Sequence, residues 1–497
     1  MVAVPDSAVS RVIGIETNFV NLRGGVKYLP IRISVFGQGA TVAEGSYSET
    51  KEIVTTAKYV GDNYGYGSPL HLAVKELLPP NGGGVGIIPV TIFPLKGDGA
   101  GVAAVGTITP IGAQTAVQTY YVKVGNIRSK QFTLAIGATV AQAVAAIVTA
   151  VNSVIDMPVI AANVGPDTSV SLTAKWKGAS GNSIAIEVVG TEAGISFGTS
   201  NTAGGAANPD ITAVLPQVGN IWETFILNCL DIADTATLDL YRDFFEPRWG
   251  PTIRKPAIVF TGTTEASQAA AIVTPEAKKT HRINAQLVAP GSDNLPFIVA
   301  AAELAKIAVV ANGNPPVDYA GQRVTSIIPG TDSEQWEYLE REPAVVGGSS
   351  TIEVIDNVIE LSDTVTFYHP TGEEPPAYRF VNDIVKVMNV LFNLSLIFEA
   401  DDWKGAPLIP DNDATTNVKA KKPKTAKTAI AVMLDSLALE AIISDPETAK
   451  KTIVANISPT NPRRLDVSFT YQISGNTGII SITANWGFFF GTAALAA

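Results

Sequence analysis

The residue types able to carry chemistry are present in this chain, but their spacing keeps them apart. His71, His281 and His369 are its three histidines, and no H-E-x-x-H pattern sets two imidazoles on one helix face, as that kind of zinc site requires. Cys229 is the single cysteine, which excludes an intramolecular disulfide and any cysteine-built zinc cage. It lies in the apolar run Thr224-Phe225-Ile226-Leu227-Asn228-Cys229-Leu230, the setting of a core thiol rather than a reactive one. No G-x-x-x-x-G-K-[ST] loop is present to cradle nucleotide phosphates. Gly82-Gly83-Gly84 runs into a strand-like segment where a dinucleotide loop needs a helix. Gly178-Ala179-Ser180-Gly181 lacks the glycine spacing of a nucleophile elbow. Triads assemble in space, so scattered Ser, His and Asp leave a hydrolase formally open, yet no cluster singles one out. The expectation is a protein that is not an enzyme, with no cofactor and no metal.

The main charge feature is an acidic stretch followed by a basic one. Glu399 through Asp413 is acidic, and Lys419, Lys421, Lys422, Lys424 and Lys427 follow with no acid until Asp435. Such a run is either a solvated loop or frayed helix start, or a patch that meets an acidic partner. The net charge of −11 has the wrong sign for neutralising phosphates, so nucleic acid is not an expected partner. Charged residues make up 16% of the chain and apolar ones 46%, where typical soluble domains hold roughly 25% charged. Either the core is large and well filled, or other subunits cover much of the surface. The amino terminus has no basic region followed by an apolar stretch. The most apolar helical segment, Phe297 to Ala311, is short for a bilayer and carries Glu303 and Lys306. No membrane insertion is expected.

A chain of 497 residues needs more than one core. Residues 1–26 have weak periodicity and end at Gly24-Gly25, which reads as an amino-terminal arm. A strand over Tyr28 to Phe36, a helix from Ser68-Pro69 to Leu78 and a buried strand from Val85 to Phe93 follow. From about Val105 short strand-like runs (Thr119 to Val124, Gln131 to Ile136, Ser169 to Ala174, Ser183 to Val189) surround one helix. Thr139 caps that helix, and Val140, Val144, Ile147, Val148, Val151, Val154 and Ile155 share its apolar face. The Gly/Ser/Thr/Ala-rich stretch Gly194 to Asn208 reads as a linker. Strands at Phe225 to Leu227, Ala257 to Phe260 and Ala285 to Val288 then alternate with helices at Thr235 to Phe245, Glu265 to Ile272 and Leu295 to Ala311. A longer helix spans Tyr378 to Phe398, with Phe380, Ile384, Val387, Met388, Leu391 and Phe398 on one stripe.

These elements describe a mixed α/β, multidomain protein of α+β texture. An α/β core, 27–103 with 205–497, carries an inserted β-rich domain with one helix at 104–204, and the chain ends form extended arms. The carboxyl end, 465–497, reads as a hairpin and arm. Leu465, Val467, Phe469, Tyr471 and Ile473 alternate with polar residues, Ser474 to Gly478 turns, and Ile480, Ile482, Ala484, Trp486, Phe488 and Phe490 alternate again. A strand so apolar at a chain end is either a core strand or half of a pairing between molecules.

Several segments, in order along nearly the whole chain, resemble the Mu-like contractile phage tail sheath proteins. They are Tyr64 to His71, Gly84 to Leu95, Lys175-Trp176-Lys177-Gly178, Arg248-Trp249-Gly250, Ala289 to Ser292 with Leu295-Pro296-Phe297, and Phe367 to Gly372. Tyr378 to Lys386, Gly405 to Asp411 and Ser474-Gly475-Asn476 complete the set. The resemblance implies a structural subunit that polymerises as stacked hexameric rings around a tail tube. Both chain ends would build the inner layer and the insertion would face outward. The assembly would be metastable when extended, contracting to drive the tube through the host envelope for genome ejection, with no nucleotide consumed. Implied partners are the chain itself, the tail tube protein, and baseplate and tail terminator proteins. The implied location is the virion, after assembly in the host bacterial cytoplasm. Family arms exchange strands with neighbouring subunits. Carried onto this chain, that makes Val9, Val12 and Ile15 of the segment Val9 to Glu16, with Ile480, Ile482, Trp486, Phe488 and Phe490, the expected linkage residues. The five lysines from Lys419 to Lys427 become the expected tube-facing patch. The sheath of a tailocin or other phage-derived injection device fits the same residues. From other classes, a β-rich adhesin lacks its secretion signal, and an α/β enzyme needs a convergent polar pocket.

Overall fold

The computed structural model of the chain describes residues 27–373, 376–484 and 486. The chain divides into two compact units, 30–385 with 474–497 and 1–29 with 386–473, and the architecture is mixed α/β and multidomain. Linkage positions Val9, Val12, Ile15, Phe488 and Phe490 lie outside the described residues.

In the larger unit, β1 (Ile33–Gln38), β2 (Glu52–Val54), α1 (Ala57–Tyr64), α2 (Pro69–Leu77) and β3 (Val90–Leu95) come first. Ser68 caps α2 by accepting from the His71 N–H, with Pro69 at the first helical position. The strand expected from Val85 starts only at Val90. Val85 donates its N–H to the Leu77 carbonyl and closes a turn, and Pro89 has no N–H to offer a ladder.

The segment that follows holds β4 (Val105–Gly112), β5 (Gln118–Val124), β6 (Ile127–Arg128), β7 (Phe132–Leu134), α3 (Val140–Asn152), β8 (Val159–Val164), β9 (Ser169–Ala174), β10 (Ile186–Val189) and β11 (Ile195–Ala203). They form two four-stranded sheets, β11-β4-β9-β8 and β10-β5-β6 with β7 also on β5. Thr139 and Gln142 form a reciprocal capping box on α3, which buries Ala143, Val144, Ile147, Ala150 and Val151. The stretch expected as a linker is strand β11, antiparallel to β4 from Ile195↔Gly112 to Ala203↔Val105. Ladder bonds use backbone groups, so a Gly- and Ser-rich segment can hold a sheet edge when its neighbour supplies the register. Val102 and Ala206 exchange both backbone bonds, so the chain enters and leaves this segment side by side.

The chain then resumes with β12 (Phe225–Asn228), α4 (Thr235–Phe245), β13 (Ile258–Thr263), α5 (Gln268–Ala271), α6 (Val273–Ala277), β14 (Asn284–Val288) and α7 (Pro296–Gly313). The main sheet runs β14-β13-β12-β1-β3-β2, parallel except at β2. β1, β3, β12, β13 and β14 are buried along their full length, as expected for a parallel sheet covered on both faces. On one face Phe36 stacks on Phe93 and meets Tyr241 of α4 edge-on. α7 has 18 residues, longer than the apolar run expected, and 67% of it is buried within the protein. β15 (Arg323–Val324), α8 (Tyr338–Val346), β16 (Ile352–Ile355) and β17 (Val358–Leu361) add a small antiparallel sheet before α9 (Val381–Phe398).

The smaller unit takes most of α9, then α10 (Pro423–Leu439), β18 (Ile443–Ser444), α11 (Pro446–Lys451), β19 (Val454–Ile457), β20 (Leu465–Ser468) and β21 (Gln472–Ile473). Val390, Ile430, Leu434, Leu437 and Ile442 are its buried centre, with Tyr28, Phe469 and Tyr471 packed against them. Among the described residues the expected carboxyl-terminal hairpin is not formed. Leu465–Ser468 pairs backwards with Val454–Ile457, and β21 pairs with β18. Phe469 and Tyr471 turn onto this core, which satisfies the apolar alternation without a forward partner.

Candidate functional site

In an open parallel sheet, ligands collect beyond the strand carboxyl ends where successive crossovers diverge. Here that point lies between β1 and β12, and it is filled. Tyr47 covers Gly39, with its hydroxyl donating to the Leu95 carbonyl, and Ala40 donates its N–H to the Tyr64 carbonyl. Gln38 and Cys229 are 0% and 1% exposed, and burial pushes the Cys229 thiol pKa upward, away from reactivity.

The three histidines lie in separate surroundings. His71 accepts the Gly67 N–H at Nδ1, and burial lowers its pKa to about 4 despite Asp156 at 4.0 Å. His281 is lowered to about 4 by burial and then by Arg242, whose Nη1 is 3.1 Å from Nε2. His369 donates from Nδ1 to the Phe367 carbonyl at 2.7 Å. Two remain neutral at physiological pH and none faces another. Among the described residues no group of three or more His, Cys, Asp or Glu is placed to hold a metal ion.

The lysine run is the start of α10. Lys421 pairs with Asp402 at 2.5 Å and lies over the Trp403 ring, while Lys422 Nζ donates to the Asp411 and Asp413 carbonyls. Those two amines serve their own unit. Lys419 and Lys424 are exposed and Lys427 is half-buried, so the structure separates the five rather than presenting one patch. Lys424, in the first turn of α10, opposes the helix dipole, at about 0.3–1 kcal/mol.

The carboxyl-terminal segment returns to the larger unit, where Asn476 Nδ2 donates to the Pro316 carbonyl at 2.8 Å. Gly475, Asn476, Gly478 and Ile479 border a cleft of about 820 Å³ lined by Tyr338, Val345, Val346 and Phe380. Beyond it Ile479, Ile480, Ile482 and Trp486 are 93%, 72%, 81% and 86% exposed. Isolated exposed apolar residues are ordinary, but four within eight positions form a surface that asks for cover.

Sequence reasoning missed the buried polar residues of α9. Phe380, expected on its apolar stripe, is 42% exposed, while Asn382, Lys386, Asn389 and Asn393 are buried. Their spacing of four, three and four residues is legible as a second, polar face, yet nothing local says that it points inward.

No protein-family model matches the chain. A curated protein, the Mu-like prophage FluMu tail sheath protein of Haemophilus influenzae, is 23% identical over 447 residues, 86% of this chain and 88% of its own length. Among solved structures, the sheath tail protein of Desulfitobacterium hafniense aligns with a TM-score of 0.45 at 12% identity, over 93% of this chain and 100% of that one. The sheath tail protein of Listeria innocua gives 0.45 at 11% identity, over 91% and 94%. A chain of the anti-feeding prophage baseplate gives 0.47 at 10%, over 97% and 100%. The sequence match runs along most of both chains.

Proposed function

We propose that this chain is the sheath subunit of a contractile phage tail, polymerising as stacked hexameric rings around a tail tube and contracting to drive that tube through a host envelope. The observation that carries the reading is the match to a curated tail sheath protein over 86% of this chain. The ordered motif set points the same way. Partners on this reading are further copies of the chain, the tube protein, and baseplate and terminator proteins, and the location is the virion. Contraction needs no nucleotide, because packed interfaces between copies can hold two arrangements of different energy.

The segment 104–204 is the outward-facing insertion in this proposal, supported by the Val102–Ala206 bridge that joins its ends. The exposed Ile480, Ile482 and Trp486, together with Phe488 and Phe490, form one half of a strand linkage between copies, and Val9, Val12 and Ile15 the other. Main-chain bonds of this kind hold while rigid bodies rotate. Negative-stain microscopy of the purified protein tests the function: long hollow polymers are expected, and a protein that stays monomeric or closes into small oligomers at every salt tried overturns it.

A further inference from the structure

Burying side-chain amides lowers stability unless they are bonded, and α9 buries Asn389 and Asn393 at 0% and 7% exposure. Each bonds to backbone. Leu29 donates its N–H to Asn389 Oδ1 at 2.8 Å. Asn393 Nδ2 donates to the Lys27 carbonyl at 3.0 Å and to the Asn389 carbonyl at 2.9 Å. Between these bonds the Tyr28 hydroxyl donates to Glu440 Oε2 at 2.7 Å, and the rest of Tyr28 packs on the core containing Val390 and Leu434.

The spacing explains the choice of residues. An extended chain presents the backbone groups of residues i and i+2 on one side, about 6.6–6.8 Å apart. Positions i and i+4 of a helix are about 6 Å apart along its axis. Two asparagines one turn apart therefore imitate the edge of a strand, one offering an acceptor and the other a donor. Tyr28 sets the register, so the segment cannot slip along them.

We propose that Asn389 and Asn393 form a backbone clamp that fixes where residues 1–26 join the body, so that a pull on those residues is delivered to α9 and the core around it. The clamp stands on these contacts alone; its mechanical role rests on the sheath reading, in which terminal arms link copies.

Amide exchange of the soluble full-length protein, read on peptides covering 27–32, tests the clamp. Asn389→Leu removes the acceptor for Leu29, and Asn393→Asp turns an oxygen against the Lys27 carbonyl. Leu396→Ala, at a 41% exposed position of α9, is the control. Exchange should rise about tenfold or more in the first two variants and stay near the parent in the third, with peptides from β12 to β14 unchanged. Unchanged protection in the first two variants, an equal rise in Leu396→Ala, or an equal rise across β12 to β14 would overturn the clamp. Where the parent polymerises, Asn393→Asp should give shorter polymers. Normal polymers with raised exchange would retain the clamp and overturn its mechanical role. A parent that never polymerises sinks the sheath reading and leaves the exchange result standing.

Discussion

Glu303 lies within α7 at 1% exposure, and neither carboxylate oxygen has a hydrogen-bond partner. Burial drives its carboxyl well above the ordinary range; the Val288 backbone opposes this without reaching bonding geometry. A carboxyl raised above its unfolded value of about 4.3 supports the fold fully below that pH, and the support is lost as pH rises through the folded pKa. Glu303→Gln removes the titration. Urea midpoints should show the variant more stable than the parent at about pH 8, with the gap closing toward about pH 4. A parent equally stable relative to the variant at both ends would show that Glu303 is solvated. The neutral, buried His71 and His281 belong to the same scale: sequence showed that the histidines were separated, and burial decided that two of them are uncharged.

At the scale of elements, local chemistry and tertiary partners divide the work. Thr139 was readable as a cap because the α3 apolar face follows it, and its capping box needs only residues 139 and 142. Thr139→Ala should lower stability by about 1 kcal/mol, and Thr139→Ser should restore most of it, both measured by thermal unfolding. The start of α10 gives a sharper test than the bare lysine run, because Lys421 and Lys422 are engaged within their unit. Lys419→Glu with Lys424→Glu should block assembly on tubes at low salt while leaving the melting temperature unchanged. Undiminished assembly would make these lysines a solvated helix start and no more. β11 was not readable: its composition is that of a linker, and only pairing with β4 makes it a strand.

For the whole molecule, the decisive region is the carboxyl end. Segment 474–478 is held by the larger unit, whereas Ile479, Ile480 and Ile482 stand exposed. Truncation after Gly478 should therefore leave a soluble protein with the parent's melting behaviour that forms no polymers, assayed by sedimentation and microscopy. Normal polymers would remove the linkage role from this strand; a chain that cannot fold would return it to the core. Segment 104–204 is tied to α2 by Lys75–Asp156 at 2.5 Å, to the loop before α7 by Lys123–Asp293, and to α7 by Trp176 packed edge-on against Phe297. Its outward position in the proposal is thus that of a braced element rather than one on loose joints.

The amino-acid sequence by itself determined what depends on neighbours in the chain. α2 starts at its Ser-Pro cap, α4 runs from Thr235 to Phe245 as its periodicity requires, and the buried strands follow their apolar runs. Those signals act within one or two turns, where capping and side-chain periodicity are set. Tertiary structure decided what depends on residues far apart. It paired β20 with β19, and turned the polar face of α9 inward onto residues 27–29, 360 or more positions away. Backbone hydrogen bonds carry no side-chain identity, so alternation can announce a strand without naming its partner. Buried amides are stable only where a partner waits, and the chain reveals that partner only once it has folded.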